Sequence, residues 1–416
     1  MIRKPIPVGE AIEKVISHTA RLGTESVSLD DAYGRVLAED IVAKHAVPPF
    51  NRSAFDGFAI RAEDTEAATD DNPIYFKQIG EIGAGHVGEK TVGAFEAYRI
   101  MTGAKLPDGA NAIVMLEHTE TADGGFTLKT ALAVDDNVSF KGEDAEEGNV
   151  LIEKGAVIHP GTVALLATFG YAQVKVAKQP SVSIVATGTE LLDVADELED
   201  GKIRNSNGPM LEAQLKRMGI QYQSFGMMED DLDACTDLMR QALEVSDVVM
   251  TTGGVSVGDY DYLPAVYERL GATVLFDKVM MRPGSVTTVA VLGDKLLFGL
   301  SGNPSACFTG FELFARPALL TMMGNTTPYV PQMKAVLGED FTKANPFTRF
   351  VRAVWSLEDG EVLAVPAGFN KSNAVSSIAR GNCIIVLPSG SEGYRKGMKV
   401  DVLLLGEEQG VARWNL

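Results

Sequence analysis

The chain has 416 residues, enough for two to four domains at about 100–200 residues each and enough to bury a core without disulfides. Apolar residues make up 45% and charged residues 22%, a globular mix that excludes global disorder, collagen and coiled coil. The net charge of −19 argues against general binding to nucleic acid or anionic membrane, so an anionic substrate needs a local cationic pocket or a metal.

Cys235, Cys307 and Cys383 are far apart and form no CxxC, so they read as core thiols rather than as zinc ligands or a disulfide framework. The start, MIRKPIPVGEAIEKVISH, has no apolar h-region, and a cytoplasmic protein is the default expectation. The least charged stretch, residues 156–174, carries His159, Pro160 and Gln173. It reads as a helix opening at Pro160 and not as a membrane span.

In chain order, apolar spacing predicts a helix over 8–22 and a short one over 29–38, and Pro48-Pro49 stops helix. From about 50 to 155, short β-like runs between turns predict an inserted β-rich domain. From about 180, strands and helices alternate. Strands are expected at SVSIVAT, YQSFGMM, DVVMTT, TVLFDKVMM, VTTVAVL and KLLFGL. Helices are expected at 208–218, 231–244 and 262–270, with a long one over SACFTGFELFARPALLTMM. This alternation predicts a doubly wound α/β domain with its site at the carboxyl ends of the strands. Residues 325–416 return to β.

Two familiar patterns fail on context. Gly83-Ala84-Gly85-His86-Val87-Gly88 fits GxGxxG, but no helical stripe follows it, so it reads as a turn. Gly254-Val255-Ser256-Val257-Gly258 fits GxSxG, but all five histidines precede Ser256, against a hydrolase that takes its base later in the chain. What remains is a glycine loop whose amides can hold a phosphate. Four polar loops end buried strands: 186–190, 228–231, 251–262 and 299–305. On one sheet edge Glu190, Asp230 and Asp261 would converge as hard oxygen donors suited to Mg²⁺. Lys278 and Arg282, evenly spaced on one expected strand, would share a face and supply cations. Taken singly, each acid reads more readily as a helix cap or a solvated side chain than as a metal donor, and it is their shared placement at strand ends that favours the set.

The chain resembles the molybdopterin molybdenumtransferase family, MoeA-type proteins and the related gephyrin E domain, over nearly its whole length. The resemblance rests on Ser53-Ala54-Phe55-Asp56-Gly57-Phe58-Ala59, Arg99–Ala104, Ala186–Leu191, Ile203–Asn207, the Thr252–Tyr262 loop and Ser301-Gly302-Asn303-Pro304. It implies a split helical domain (1–46 and 141–177), an inserted β-rich domain (47–140), an α/β molybdopterin-binding domain (178–324) and a C-terminal β-barrel (325–416). It also implies a homodimer that uses adenylylated molybdopterin and molybdate, releases AMP with Mg²⁺ assisting, and makes molybdenum cofactor. Its partners would extend to other cofactor-biosynthesis proteins or apo-molybdoenzymes.

By that resemblance Glu190, Asp230 and Asp261 are the metal-side acids, Asp56 and Thr102 act from the inserted domain in trans, and Asp144 matches a further acidic position. Lys278 and Arg282 form the anion clamp, and Arg352 with Ser376 or Ser377 meets molybdate. The loops add Thr187, Gly188, Ser206, Gly253, Gly254, Ser256, Gly258, Asp259, Gly302, Asn303 and Pro304 as substrate-binding candidates. The chain departs from the family's LPGNP at Ser301 and from its KPGKP at Arg282 and Ser285, losing one lysine. A non-catalytic scaffold of the gephyrin E type is the alternative. A pyrophosphatase or amidase built on the same α/β domain would leave Asp56, Thr102 and the last domain unexplained. Tungstate, close to molybdate in size and charge, is an open alternative as the anion.

Overall fold

A computed structural model describes residues 4–228, 231–254 and 262–406. The chain divides into two compact units: residues 1–39, 154–163 and 173–416, and residues 40–153 and 164–172. The architecture combines a doubly wound α/β sheet, an inserted β-rich region, split helical segments and a closed C-terminal β-barrel.

In the first unit the central sheet has strand order Tyr222–Met228, Val182–Thr187, Val248–Thr252, Lys295–Leu300, Thr288–Leu292, Thr273–Phe276. The first four strands are parallel and the last two join antiparallel. The three inner parallel strands, Val182–Thr187, Val248–Thr252 and Lys295–Leu300, are largely apolar runs because both faces are covered. Ile184, Met250 and Phe298 pack in one core with Leu211 and Leu215 of the helix Asn207–Arg217. Their neighbours Val185, Val249 and Leu297 pack in another with Met239 of Leu232–Val245 and Tyr267 of Leu263–Leu270. Asp231 caps Leu232–Val245 by accepting from the Ala234 amide at 2.8 Å. Gly271, at φ 71°, ends Leu263–Leu270 in the left-handed conformation.

Four sequence expectations need correction. The first helix ends at Ser17, and Thr24–Ser28 is a strand paired with Gln173–Ala177. Over 29–38 only one 3-10 turn forms, Leu29–Asp31, because Gly34 takes φ 76° and Val36 and Leu37 bridge to Val157 and Val176. TVLFDKVMM is not one strand. The central sheet keeps Thr273–Phe276, Val279 bridges to Ile6, and Met281–Arg282 pairs with Thr348–Glu358. Lys278 and Arg282 therefore share no strand. The long helix is Pro304–Gly310 and Arg316–Met322 joined through a π-helical turn, Phe311–Ala315.

The barrel closes because Thr348–Glu358 pairs with both Glu361–Pro366 and Cys383–Leu387. The ring is completed through Gln332–Leu337 and Lys399–Leu404. Closure removes unpaired strand edges. Val351 and Ala353 point into the barrel core with Ile385 and Val402, while Phe350 and Ile384 belong to the core of the α/β sheet. The three cysteines are buried, and burial pushes the Cys383 thiol up to about 12.

The second unit centres on a sheet of order Ala112–Met115, Gly57–Ile60, Glu96–Ile100, Ile74–Ile82, Gly125–Leu128, Thr119–Ala122. Phe76 and Phe58 both stack on Phe126 in its core. Residues 83–88 form a turn with no helix after it. Among the described residues no helix is long and apolar enough to cross a membrane.

Candidate active site

The strand order of the central sheet reverses between Val182–Thr187 and Val248–Thr252, and their carboxyl ends open the crevice where such sheets bind ligands. The Thr187 hydroxyl donates to the Thr252 carbonyl at 3.0 Å and ties the two ends together. Gly253 follows at φ 90°, and a Cβ there would lie 2.6 Å from Thr187 Oγ1 and 2.7 Å from its carbonyl oxygen. Only glycine fits this approach. Gly302 packs over Gly253, and its carbonyl accepts from Asn207 Nδ2 at 2.8 Å. Asn207 Oδ1 is buried and without a partner among the described residues. Ser301, the departure in the LSGNP segment, accepts from the Asn303 amide at 3.2 Å and shapes that loop.

Glu190 is exposed beyond the first strand, folded back so that a Cβ on Gly188 would meet its carboxylate at 2.5–2.8 Å. Among the described residues its carboxylate accepts no hydrogen bond, and a hard, uncommitted oxygen donor suits Mg²⁺. Asp230, Ser256, Gly258, Asp259 and Asp261 lie outside the described residues. Among those described, no three His, Cys, Asp or Glu side chains group as a metal site. Ser206 is exposed just before the helix Asn207–Arg217, and Pro304 opens the helix after Asn303.

Ser301 and Asn303 also line a cleft of about 480 Å³ shared by the α/β domain and the barrel. It is lined by Arg282, Gly284 and Ser285 together with Arg349, Lys371, Ser372 and Asn373. Among the described residues none that lines it is acidic, in a chain whose net charge is −19. This is a cationic pocket of the kind that net charge demands. Arg349, Lys371 and Ser372 were not legible as site residues. Strand alternation in Thr348–Glu358 was the available signal, since it puts Arg349 and Arg352 on opposite faces.

Arg352 is 1% exposed. Its guanidinium donates to Ser377 Oγ at 3.3 Å and to the carbonyls of Phe350 at 3.4 Å and Lys371 at 3.1 Å. Burial lowers its pKa to about 10, so it stays charged at neutral pH. Arg352 thus fixes the backbone of a cleft residue. Ser376 is exposed at the start of the short helix Ser376–Arg380. Lys278 is half-buried, with its carbonyl accepting from the Ile6 amide at 3.1 Å.

In the second unit, Gly57 and Ile100 are register partners, which brings Asp56 and Thr102 together just beyond the paired ends. Thr102 donates to Asp56 Oδ1 twice, from its amide at 2.7 Å and its hydroxyl at 2.8 Å. These two bonds, the amide's first, with a contribution from the Arg99 charge, hold the Asp56 carboxyl below the usual carboxylate range. A Cβ on Gly57 would lie 2.0 Å from the Val114 carbonyl oxygen, so glycine must follow Asp56. Asp144 is exposed, its amide donating to the Val47 carbonyl at 3.0 Å.

A doubly wound sheet with glycine loops at its switch point, joined to a barrel across a cationic cleft, defines a class of multidomain α/β protein. The sequence matches the MoeA N-terminal region (domain I and II) over residues 6–170, the probable molybdopterin binding domain over 183–321 and the MoeA C-terminal region (domain IV) over 334–405. It is 53% identical over 402 residues to the molybdopterin molybdenumtransferase of Staphylococcus aureus strain COL, covering 97% of this chain and 96% of that one. It is 53% identical over 412 residues to that of Bacillus subtilis strain 168, covering 98% and 96%. The crystal structure of the molybdopterin biosynthesis moeA protein of Pyrococcus horikoshii superposes with a TM-score of 0.83 at 32% identity, over 96% of this chain and 100% of that one. The chain belongs to the MoeA family.

Proposed function

We propose that this protein is a molybdopterin molybdenumtransferase: it inserts molybdenum from molybdate into adenylylated molybdopterin, releases AMP and so forms molybdenum cofactor. The observation that carries the reading is the cleft with Arg282, Arg349 and Lys371, free of acids among the described residues, beside the glycine loops of the switch point. Molybdate is a tetrahedral dianion, and guanidinium, ammonium, hydroxyl and amide donors are its natural partners. The loop amides around Gly188, Gly253, Gly254 and Gly302 hold the phosphates of the pterin nucleotide. Glu190, with Asp230 and Asp261, is the donor set for Mg²⁺, whose charge would offset that of the phosphoanhydride. Lys278 and Arg282 balance developing negative charge, and Arg352 supports the oxyanion site through Lys371. Asp56, kept ionised by Thr102, completes the catalytic set. The protein works in the cytoplasm as a homodimer, with the four-domain division that its sequence implies.

The test is AMP release from adenylylated molybdopterin with Mg²⁺, with and without molybdate, together with activation of a molybdenum-free apoenzyme. Molybdate-dependent release and activation are expected. Pterin binding with no release under any anion would make the protein a scaffold.

A further inference from the structure

Arg282 and Arg349 are direct register partners on adjacent parallel strands, and both line the cleft. Adjacent strands lie about 4.8 Å apart, so two guanidinium side chains leave the sheet side by side on one face. Like charges so placed repel one another. The usual remedy is a carboxylate between them, yet no lining residue is acidic and neither arginine forms an ion pair among the described residues. Each is braced on an aromatic ring instead. The Arg282 guanidinium lies 5.4 Å from the Phe347 ring centre and that of Arg349 lies 5.6 Å from the Phe341 ring centre. Stacking orients a guanidinium plane without neutralising it. Arg349 is half-buried, which raises the cost of leaving it unmatched.

We infer that Arg349 is a specificity-determining binding residue that clamps a tetrahedral dianion jointly with Arg282. Two forks abreast match two edges of one tetrahedron, and the pair recovers its mutual repulsion only when both charges of the ligand are present. The clamp therefore favours a dianion over a monoanion of similar size. The assignment of the occupant as free molybdate, and not a phosphoryl group of the nucleotide, rests on the transferase reading above. Ser285 lines the same cleft and offers a hydroxyl where no further charge is present.

The experiment compares the full-length wild type with Arg349→Ala and Arg349→Lys. The first readout is the shift in melting temperature on adding molybdate, inorganic phosphate or AMP singly, without pterin. The second is KM for molybdate and for adenylylated molybdopterin. For Arg349→Ala, half-saturation by molybdate and its KM should both rise about 10- to 100-fold, as loss of a charged hydrogen-bonding partner implies. KM for the pterin should stay within about twofold, and the melting temperature without anion should not fall, because a repulsion has been removed. Arg349→Lys should fall between, since it restores charge without the planar fork. An unchanged molybdate shift in Arg349→Ala overturns the clamp whatever turnover does. A lost response to phosphate or AMP with an intact response to molybdate gives the clamp to the nucleotide and also overturns the proposal. A lost molybdate shift in a protein whose AMP release ignores molybdate leaves the clamp standing and sinks the transferase reading alone.

Discussion

Replacing Gly253 by alanine separates two costs that usually arrive together. Gly253 sits at φ 90°, a region an L-residue enters at about 1–2 kcal/mol. The new Cβ would also lie 2.6 Å from the Thr187 hydroxyl oxygen and 2.7 Å from the Thr187 carbonyl oxygen. The hydroxyl can rotate only by giving up its bond to the Thr252 carbonyl, and the carbonyl cannot rotate at all. Overpacking of this kind adds about 1–3 kcal/mol, for a total of about 2–5 kcal/mol. Gly271→Ala is the control, because Gly271 has φ 71° and nothing within 4 Å of its Cβ position. It carries only the conformational cost. At about 2–4 °C per kcal/mol for a domain of this size, Gly253→Ala should lower the melting temperature by roughly 4–20 °C and Gly271→Ala by roughly 2–8 °C. Relief of the clash must move the loop against Thr187, and a displacement of about 1 Å in a positioning loop costs about 100-fold in turnover. AMP release should therefore collapse in Gly253→Ala and hold within about twofold in Gly271→Ala. Equal melting shifts with equal turnover would refute the close approach at the switch point.

The Glu312 side chain is wholly buried in the π-helical turn, where it accepts from Gln214 Nε2 at 2.8 Å and pairs with Arg217 and with Arg316 at 3.8 Å. Breaking a buried pair costs about 3–5 kcal/mol, reduced here because both arginines reach solvent. Glu312→Gln should thus destabilise by about 2–3 kcal/mol in denaturant melts and leave KM for molybdate unchanged. Thr102→Val removes the hydroxyl donor to Asp56 but keeps the amide, so the Asp56 pKa should rise toward its ordinary value in an NMR titration. Because the folded pKa is depressed, the contact's stabilisation is complete above the ordinary aspartate pKa and fades as pH falls through the folded value. The acid limb of turnover should move up with it, and an unmoved limb would remove Asp56 from the chemistry. Arg352→Met keeps volume and loses the bond to the Lys371 carbonyl. KM for molybdate should rise about tenfold while KM for the pterin holds, and equal losses in both would show that Arg352 does not act through the cleft.

The parts of the fold that were legible are those where local pattern and tertiary role coincide. SVSIVAT and DVVMTT are largely apolar runs because two cores claim alternate residues of each, and glycine follows each strand, Gly253 where its backbone approaches Thr187 and Gly188 under the folded-back Glu190 side chain. The failures share a different origin. TVLFDKVMM is apolar throughout, but its partners change from the central sheet to the N-terminal segment to the barrel, and a hydropathy run does not record who the partner is. The turn at Leu29–Asp31 satisfies helical spacing until Gly34 and two β-bridges prevail. Barrel closure is equally invisible, because it depends on one strand, Thr348–Glu358, pairing on both sides.

The same distinction explains the site. Glycine loops and acids at strand ends are local signals, and Asp56 with Thr102 is fixed by one register pair, Gly57 with Ile100. The cationic cleft is different: its residues come from segments about 280–306 and 349–373, and an isolated lining arginine in each is unremarkable in composition. Only the pairing of Met281–Arg282 with the barrel strand sets Arg282 against Arg349. That pairing is also what breaks the expected strand. After the central-sheet strand ends at Phe276, Met281–Arg282 pairs with the barrel, and so carries Arg282 into the cleft. The misread strand and the missed cation, Arg349, are thus one structural event at the seam between sheet and barrel.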